Sequence, residues 1–457
     1  MGVFEEDCVV RVSALIKLWV SEGFLRPVSG KSLETTAKEY YLHDLVERNL
    51  ILVHELGSTG NIKLCKIHNL LRDVLWREAE KEGFYNVMGQ FKFQGLKGKR
   101  RVVITRSTSK KEADDALQRL PLARSVVCHN KEIQPLPKSR LLRTLKSYDR
   151  DAYGSHDYLL DDLIRFVNPR YLAVGVDKEF QFTSSFNLLW NVQTIIILCS
   201  TCVCAPYQVW DQMPQLKHVE FHKEDLYLPI PQKRKIVAMK NLQTLKGVCF
   251  SMIDKTTLSL KIPNIKKLGV TRGGLPDLDC LNKLESCCYW GAQDVNDNIF
   301  QHSLKKLSLG SNTYYWEVKE RLLAKIGALP LLEKLKLERA QFKLKQWKTS
   351  EDQFKFLELK WCILESWITE SSHFPHLERL HLYGSKELEE IPPEICEIPT
   401  LQSFDLEYCS ESVVESAKAI AEEQEELQVR VVLLKNNHNQ ALPNLASRNF
   451  LVEFADL

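Results

Sequence analysis

A phrase of the form apolar-x-x-apolar-x-apolar recurs through most of the chain, most regularly between residues 301 and 407. It reads Leu304, Leu307, Leu309; then Leu332, Leu335, Leu337; then Leu377, Leu380, Leu382; then Leu401, Phe404, Leu406. Looser copies stand upstream at Leu216, Val219, Phe221 and at Ile265, Leu268, Val270. Counted from Val192, the first positions fall at 192, 216, 242, 265, 284, 304, 332, 354, 377 and 401, in steps of 19 to 28 residues. A period of this size belongs to a leucine-rich-repeat solenoid, in which each repeat buries its apolar face only against its neighbours. The expected class is α/β, with a curved parallel sheet on the concave side of a horseshoe.

Side chains alternate along a strand, so the second and third apolar residues of each phrase point inward and the residues between them point out. Stacked repeats turn those outward positions into columns. Read from the sequence, they hold Trp290, Lys334, Lys336, Phe356, Glu358, Arg379, His381 and Tyr383. An idle solvated face would be short and polar, whereas Trp, Tyr and Arg dominate interface hot spots. These eight residues are the candidate protein-binding surface, with the aromatics as anchors and the lysines and Glu358 setting charge preference. Scattered surface aromatics are also ordinary, which is the plain alternative.

Charge is unevenly spread. The whole chain carries +3, but residues 1–90 hold 11 Lys/Arg against 13 Asp/Glu, and residues 91–150 hold 16 against 5. Asymmetry of this kind reports on contacts rather than on fold. The basic run Lys97, Lys99, Arg100, Arg101, Arg106, Lys110 and Lys111 surrounds a short strand-like Val102-Val103-Ile104. Arg100 and Arg101 are expected to dock on an acidic surface formed in part by Glu34, Glu39, Asp44 and Glu47. A solvated entry to the first repeat is the bland reading of the same run.

The front of the chain reads differently. Apolar groups at Val12, Leu15, Ile16, Trp19 and Val20 make an amphipathic helix closed by Gly23. A second helix spans 32–48, two strands joined through Gly57 to Gly60 form a hairpin, and a third helix starts at His68 or Asn69 and stops at Gly83. Helix, helix, hairpin, helix is a winged-helix order. Such units often bind DNA, yet the helix that would enter the groove carries Glu34, Glu39, Asp44 and Glu47 against Lys38 and Arg48. Phosphate attraction needs a cationic excess there, and nucleic acid is not an expected partner.

Three stretches carry a more specific resemblance: LIKLWVSEGFL (15–25), YYLHDLVERNLI (40–51) and CKIHNLLRDVLWREA (65–79). The chain resembles the winged helix and repeats of plant nucleotide-binding leucine-rich-repeat immune receptors, closest to the coiled-coil type related to late-blight resistance proteins. In that family the third stretch holds a Met-His-Asp motif whose histidine reaches the bound nucleotide. The matching residues here are Ile67, His68 and Asn69, so an amide replaces the family's carboxylate. The resemblance implies a nucleotide-binding domain ahead of residue 1. The sequence therefore reads as the C-terminal part of such a receptor: a truncated winged-helix domain at 1–88, the solenoid at 89–410, and a cap helix and tail at 411–457. It also implies a cytoplasmic immune role. The repeats would recognise a pathogen effector or a guarded host protein, and the nucleotide-binding domain of a full receptor would be the second partner.

The family binds ADP or ATP through a phosphate-cradling loop, and no G-x-x-x-x-G-K-[ST] occurs in the 457 residues. No cofactor is expected in this chain, and His68 is expected to cap its helix. No esterase elbow and no H-E-x-x-H occur, and Cys199-x-x-Cys202-x-Cys204 lacks the second ligand pair that zinc would want. The most apolar run, Ile195 to Cys199, is far short of the roughly 20 residues of a membrane span. A binding protein, not an enzyme, is the expectation. A repeat-based adaptor, such as the substrate-recruiting subunit of a ubiquitin ligase, is the alternative.

Overall fold

A computed structural model describes residues 3–4, 7–57, 60–88, 100–137, 139–147, 158, 160–166, 168–176, 184–199, 203–204, 212–223, 226–228, 237–250, 255–275, 277–291, 295, 300–348, 354–434 and 447–455. Lys97, Lys99 and Cys202 lie outside them. The chain divides into two compact units, 1–249 and 250–457.

The first unit opens with the helix Val12–Glu22, ended by Gly23 at φ 74°. That conformation is the left-handed C-terminal stop that glycine adopts without cost. The next helix starts at Ser32, whose hydroxyl accepts from the Thr35 amide at 3.1 Å. It runs as Leu33–Thr36, a π-helical turn at Ala37–Leu42, and His43–Glu47. The hairpin pairs Leu52–Leu56 with Ile62–Lys66, and Val10–Arg11 adds a third antiparallel strand. The closing helix is Asn69–Lys81. The winged-helix order is thus present. The apolar stripe of the last helix is not its buried side. Leu70, Val74 and Leu75 are exposed, while Arg72 and Trp76 face in, the guanidinium 4.5 Å from the indole centroid.

A parallel sheet follows within the same unit. Its strands are Asn86–Met88, Arg101–Ile104, Ser125–Cys128, Thr144–Lys146, Tyr171–Val176, Thr194–Cys199, His218–Lys223 and Thr244–Phe250. Each pairs with the next in register, as in Thr144 with Tyr171 and Tyr171 with Thr194. Leu172, Val174, Ile195 and Ile197 point into the repeats. The opposite face of these strands is also covered. Tyr171, Ala173, Ile196 and Leu198 join Leu15, Ile16, Leu18 and Leu42 of the winged helix in one apolar cluster. Burial on both faces explains why Tyr171–Val176 and Thr194–Cys199 read as unbroken apolar runs instead of alternating.

The second unit continues the motif through Lys267–Arg272, Ser286–Tyr289, Lys306–Gly310, Lys334–Glu338, Phe356–Lys360, Arg379–Tyr383 and Ser403–Glu407. Strict parallel register links Lys306, Lys334, Phe356, Arg379 and Ser403 across neighbouring strands. The leucines of every phrase are buried, so the alternation read from the sequence holds. The acidic helix Glu411–Glu423 forms, N-capped by Ser410. It does not end the sheet. Gln428–Leu434 and Phe450–Ala455 add two further parallel strands, where the sequence reading placed only a cap and a tail.

Candidate functional site

Where the winged helix lies on the sheet of the first unit, charge closes the contact. Lys17 pairs with Glu220, both about nine-tenths buried, and Lys246 stands 3.6 Å from the same carboxylate. Glu34 reaches Lys217 at 3.3 Å and His218 at 3.9 Å. Arg101 holds Glu22 at 2.9 Å, its guanidinium 5.0 Å from the Phe24 ring and 4.5 Å from Phe84. Glu22 also accepts from the Ser125 hydroxyl.

Docking of Arg101 on the winged helix was expected, but with other partners. Of the four acids named, only Glu34 faces the repeats, and it meets Lys217 rather than residues 91–150. Glu39 pairs with Lys31, Asp44 with Arg48, and Glu47 with His43, each within or beside its own helix. Spacings of i, i+4 make such local pairs the first available. Arg100 is exposed and takes no part in the contact.

Burial pushes the His218 imidazole down to about 4, against the pull of Glu34, and Lys17 adds to the fall. Glu34 is partly buried, which works against its charge, yet His218 and Lys217 hold its carboxyl down to about 2. The docked state therefore prefers a neutral His218. Released, the same ring titrates near its ordinary 6.5, so acid favours release. Stability from His218 is complete above that value and is lost as pH falls toward 4; Glu34 adds its own loss only below its ordinary 4.5. Lowering pH from 7.5 to 5 should cost about 2 kcal/mol through His218, read as a lower melting temperature. His218→Gln should flatten that slope, and an unchanged slope would assign the pH dependence elsewhere.

His68 is exposed and caps the helix Asn69–Lys81, its Nδ1 accepting from the Leu70 amide at 3.3 Å. The neighbouring amide has a role a carboxylate could not fill: Asn69 Nδ2 donates to Asp7 Oδ1 at 3.1 Å. Among the described residues no group of three or more His, Cys, Asp or Glu could hold a metal ion. Cys199 is buried, with its Sγ 3.8 Å from the His222 carbonyl.

In the second unit seven of the eight expected surface residues stand on the sheet face opposite the leucines, brought side by side by the register; Trp290 directly follows its strand Ser286–Tyr289, with Lys336 Nζ 5.8 Å from its ring centroid. They are half-buried rather than free-standing. Lys334 lies 3.7 Å from the Phe356 ring centroid and 3.3 Å from Glu358. Lys336 bridges Glu358 at 3.0 Å and Glu338 at 3.1 Å. Burial pulls its ammonium down, yet the two carboxylates together hold it above its ordinary range. Burial likewise works against the Glu358 carboxylate, and Lys336 and Lys334 overcome it. The charges thus satisfy one another first.

The aromatics have their own supports. Trp290 lies so close to Gly310 that a Cβ there would come 2.8 Å from its ring. Tyr383 meets Trp361 edge-on at 5.1 Å and Tyr408 at 5.2 Å, with Lys360 Nζ 5.0 Å from its centroid. His381 Nε2 is 3.5 Å from Glu407. Trp361 and Tyr408 were not foreseen. Each follows its strand in the left-handed region, at φ 52° and 56°. Bulky residues rarely adopt this conformation; Arg339, after the strand Lys334–Glu338, shares it at φ 55°, so the turn of the repeat sets it. Between them in the same column, Gly384 at φ 67° leaves room for the Trp361 ring, 2.2 Å from where a Cβ would stand.

With this geometry in place, known proteins supply a family. Residues 3–75 match the model described as "Disease resistance protein Winged helix domain". Late blight resistance protein homolog R1B-16 of Solanum demissum is 31% identical over 93% of this chain. The chain is similar to plant disease resistance proteins of the late-blight type over nearly its whole length. Late blight resistance protein R1-A of the same species is 29% identical over an equal share. The chain spans 34% of the length of the first relative and 35% of the second. A leucine-rich-repeat protein of Leptospira interrogans overlays 72% of the chain and 89% of its own length at 12% identity, with a TM-score of 0.34. No helix among the described residues is long and apolar enough to cross a membrane.

Proposed function

We propose that this chain serves disease resistance as a non-enzymatic recognition region, and that its open sheet face across residues 286–408 binds a pathogen effector or a host protein that an effector modifies. The observation that carries the reading is the aromatic row Trp290, Phe356, Trp361, Tyr383 and Tyr408 on a face where solvation alone calls for short polar groups. Rigid aromatic rings give large contact area at small entropic cost, and neighbouring arginine and lysine supply the polar rim. The names of the relatives support the biological setting. In a full receptor, recognition here would be relayed to a nucleotide-binding domain in the cytoplasm; this chain is proposed to hold no nucleotide itself.

The test is a paired screen of effectors against the wild type and a Trp290→Ala, Phe356→Ala, Tyr383→Ala variant. Loss of three hot-spot rings should weaken binding by at least about 100-fold. The melt should fall by only a few degrees, because the rings rest on the sheet and not inside the repeats. Ligands kept by the variant at equal affinity would place recognition elsewhere.

A further inference from the structure

One residue stands immediately before each strand of the repeats, and its backbone ties it to its counterpart on the next strand. The Arg124 amide donates to the Arg100 carbonyl at 2.6 Å, Arg143 to Arg124 at 2.6 Å, and Arg170 to Arg143 at 2.7 Å. These residues therefore form a column along the edge of the sheet. In the second unit the same column reads Lys266, Glu285, Lys305, Glu333, Lys355 and Glu378. Signs alternate there, and Lys355 pairs with Glu378 at 3.0 Å. The column neutralises itself.

In the first unit it does not. Arg100, Arg124, Arg143 and Arg170 succeed one another with no acid between them, and among the described residues none of the four has an ion-pair partner. Arg100 above all, then burial and Arg143, pulls Arg124 below its ordinary range, the mark of crowded like charge. Farther along, after Gln193, the column reaches Lys217. There it already receives a carboxylate borne by a helix, since Glu34 of Leu33–Thr36 sits 3.3 Å away.

We propose that Arg100, Arg124, Arg143 and Arg170 form a docking strip for an α-helix of a partner protein that carries a stripe of carboxylates along one side. Neighbouring strands place the backbones of the four arginines about 4.8 Å apart. A helix presents one side chain per turn, every ~5.4 Å, from positions i, i+4, i+7 and i+11. An extended peptide repeats on one side only every ~6.7 Å and falls out of step within four residues. The strip is also a single file with Glu22 beside it, close enough to act on Arg124 and bonded to Ser125. A nucleic acid would bring a broad sheath of phosphates against that carboxylate. The strip belongs to the first unit and the effector-binding face proposed above to the second, so neither reading depends on the other.

The intact chain is titrated into a labelled helical peptide of about 16 residues with Glu at i, i+4, i+7 and i+11, and into an isomer of the same composition with its Glu residues spread around the helix. The striped peptide should bind, and the isomer at least about tenfold more weakly. Arg124→Gln with Arg143→Gln should lose about tenfold or more for the stripe, with an unchanged melt. Binding should fade between about 0.05 and 0.5 M salt. Equal binding of the isomer, an unaffected double variant, or tighter binding of single-stranded DNA or of anionic lipid vesicles would each overturn the proposal.

Discussion

Lys17→Glu is expected to release the winged helix from the repeats. The side chain is 10% exposed and pairs with Glu220 at 11%, with Lys246 and the His222 imidazole also beside that carboxylate. Reversal sets two buried carboxylates together, and breaking a buried pair costs about 3–5 kcal/mol. The loss should show as a lower melt and as faster amide exchange in Tyr171–Val176 and Thr194–Cys199, whose outer faces the winged helix covers. The doubly reversed Lys17→Glu, Glu220→Lys chain should recover much of the protection. If exchange in those strands stays as slow as in the wild type, the winged helix does not hold to the repeats through this pair.

Gly247→Ala should be nearly as damaging, for a different reason. Gly247 sits at φ 71° inside the strand Thr244–Phe250, and a Cβ there would stand 2.3 Å from the Phe221 carbonyl oxygen. The obstacle is backbone, so no side chain can rotate away. Left-handed strain of about 1–2 kcal/mol adds to an overlap of about 1–3 kcal/mol. Gly23 is the control: its φ is 74°, yet nothing lies within 4 Å of a Cβ. Gly23→Ala should cost only the strain, about 1–2 kcal/mol. Equal denaturation midpoints for the two variants would mean that the strands do not approach so closely at Phe221.

How much of this could be read beforehand follows the physics of each element. Leucines at strict spacing announced the second unit, because each strand there is buried on one face and alternation survives. The strand at 171–176 was opaque for the opposite reason, and 194–199 showed only as the repeat counted from Val192, inside an unbroken apolar run. Ile196 and Leu198 are apolar on account of a partner far away in sequence, and no local window shows that partner. The same distance hid Lys17 with Glu220, 203 residues apart. The winged-helix order was legible from helical spacing, while the π-helical turn Ala37–Leu42 was not, since one widened turn leaves the apolar pattern almost intact. Gln428–Leu434 was overlooked beside a conspicuous acidic helix, although Val429 and Val431 alternate as a buried strand should. On the candidate surface, alternation located Trp290, Phe356 and Tyr383. Trp361 and Tyr408 follow their strands, where backbone handedness and not alternation decides direction.

The mutual pairing of Lys334, Lys336, Glu338 and Glu358 bears on how such a surface could change over generations. Each charge is already answered by a neighbour on its own or the adjoining strand. A single substitution therefore does two things at once: it removes one charge and unmasks its former partner. Lys336→Gln, for example, would leave Glu338 and Glu358 facing outward with less to hold them. The preference of the face for a basic or an acidic visitor can thus invert in one mutational step, while the leucines beneath are untouched. On the effector-binding reading proposed above, such a face would reach a new charge preference without passing through an unfolded intermediate sequence.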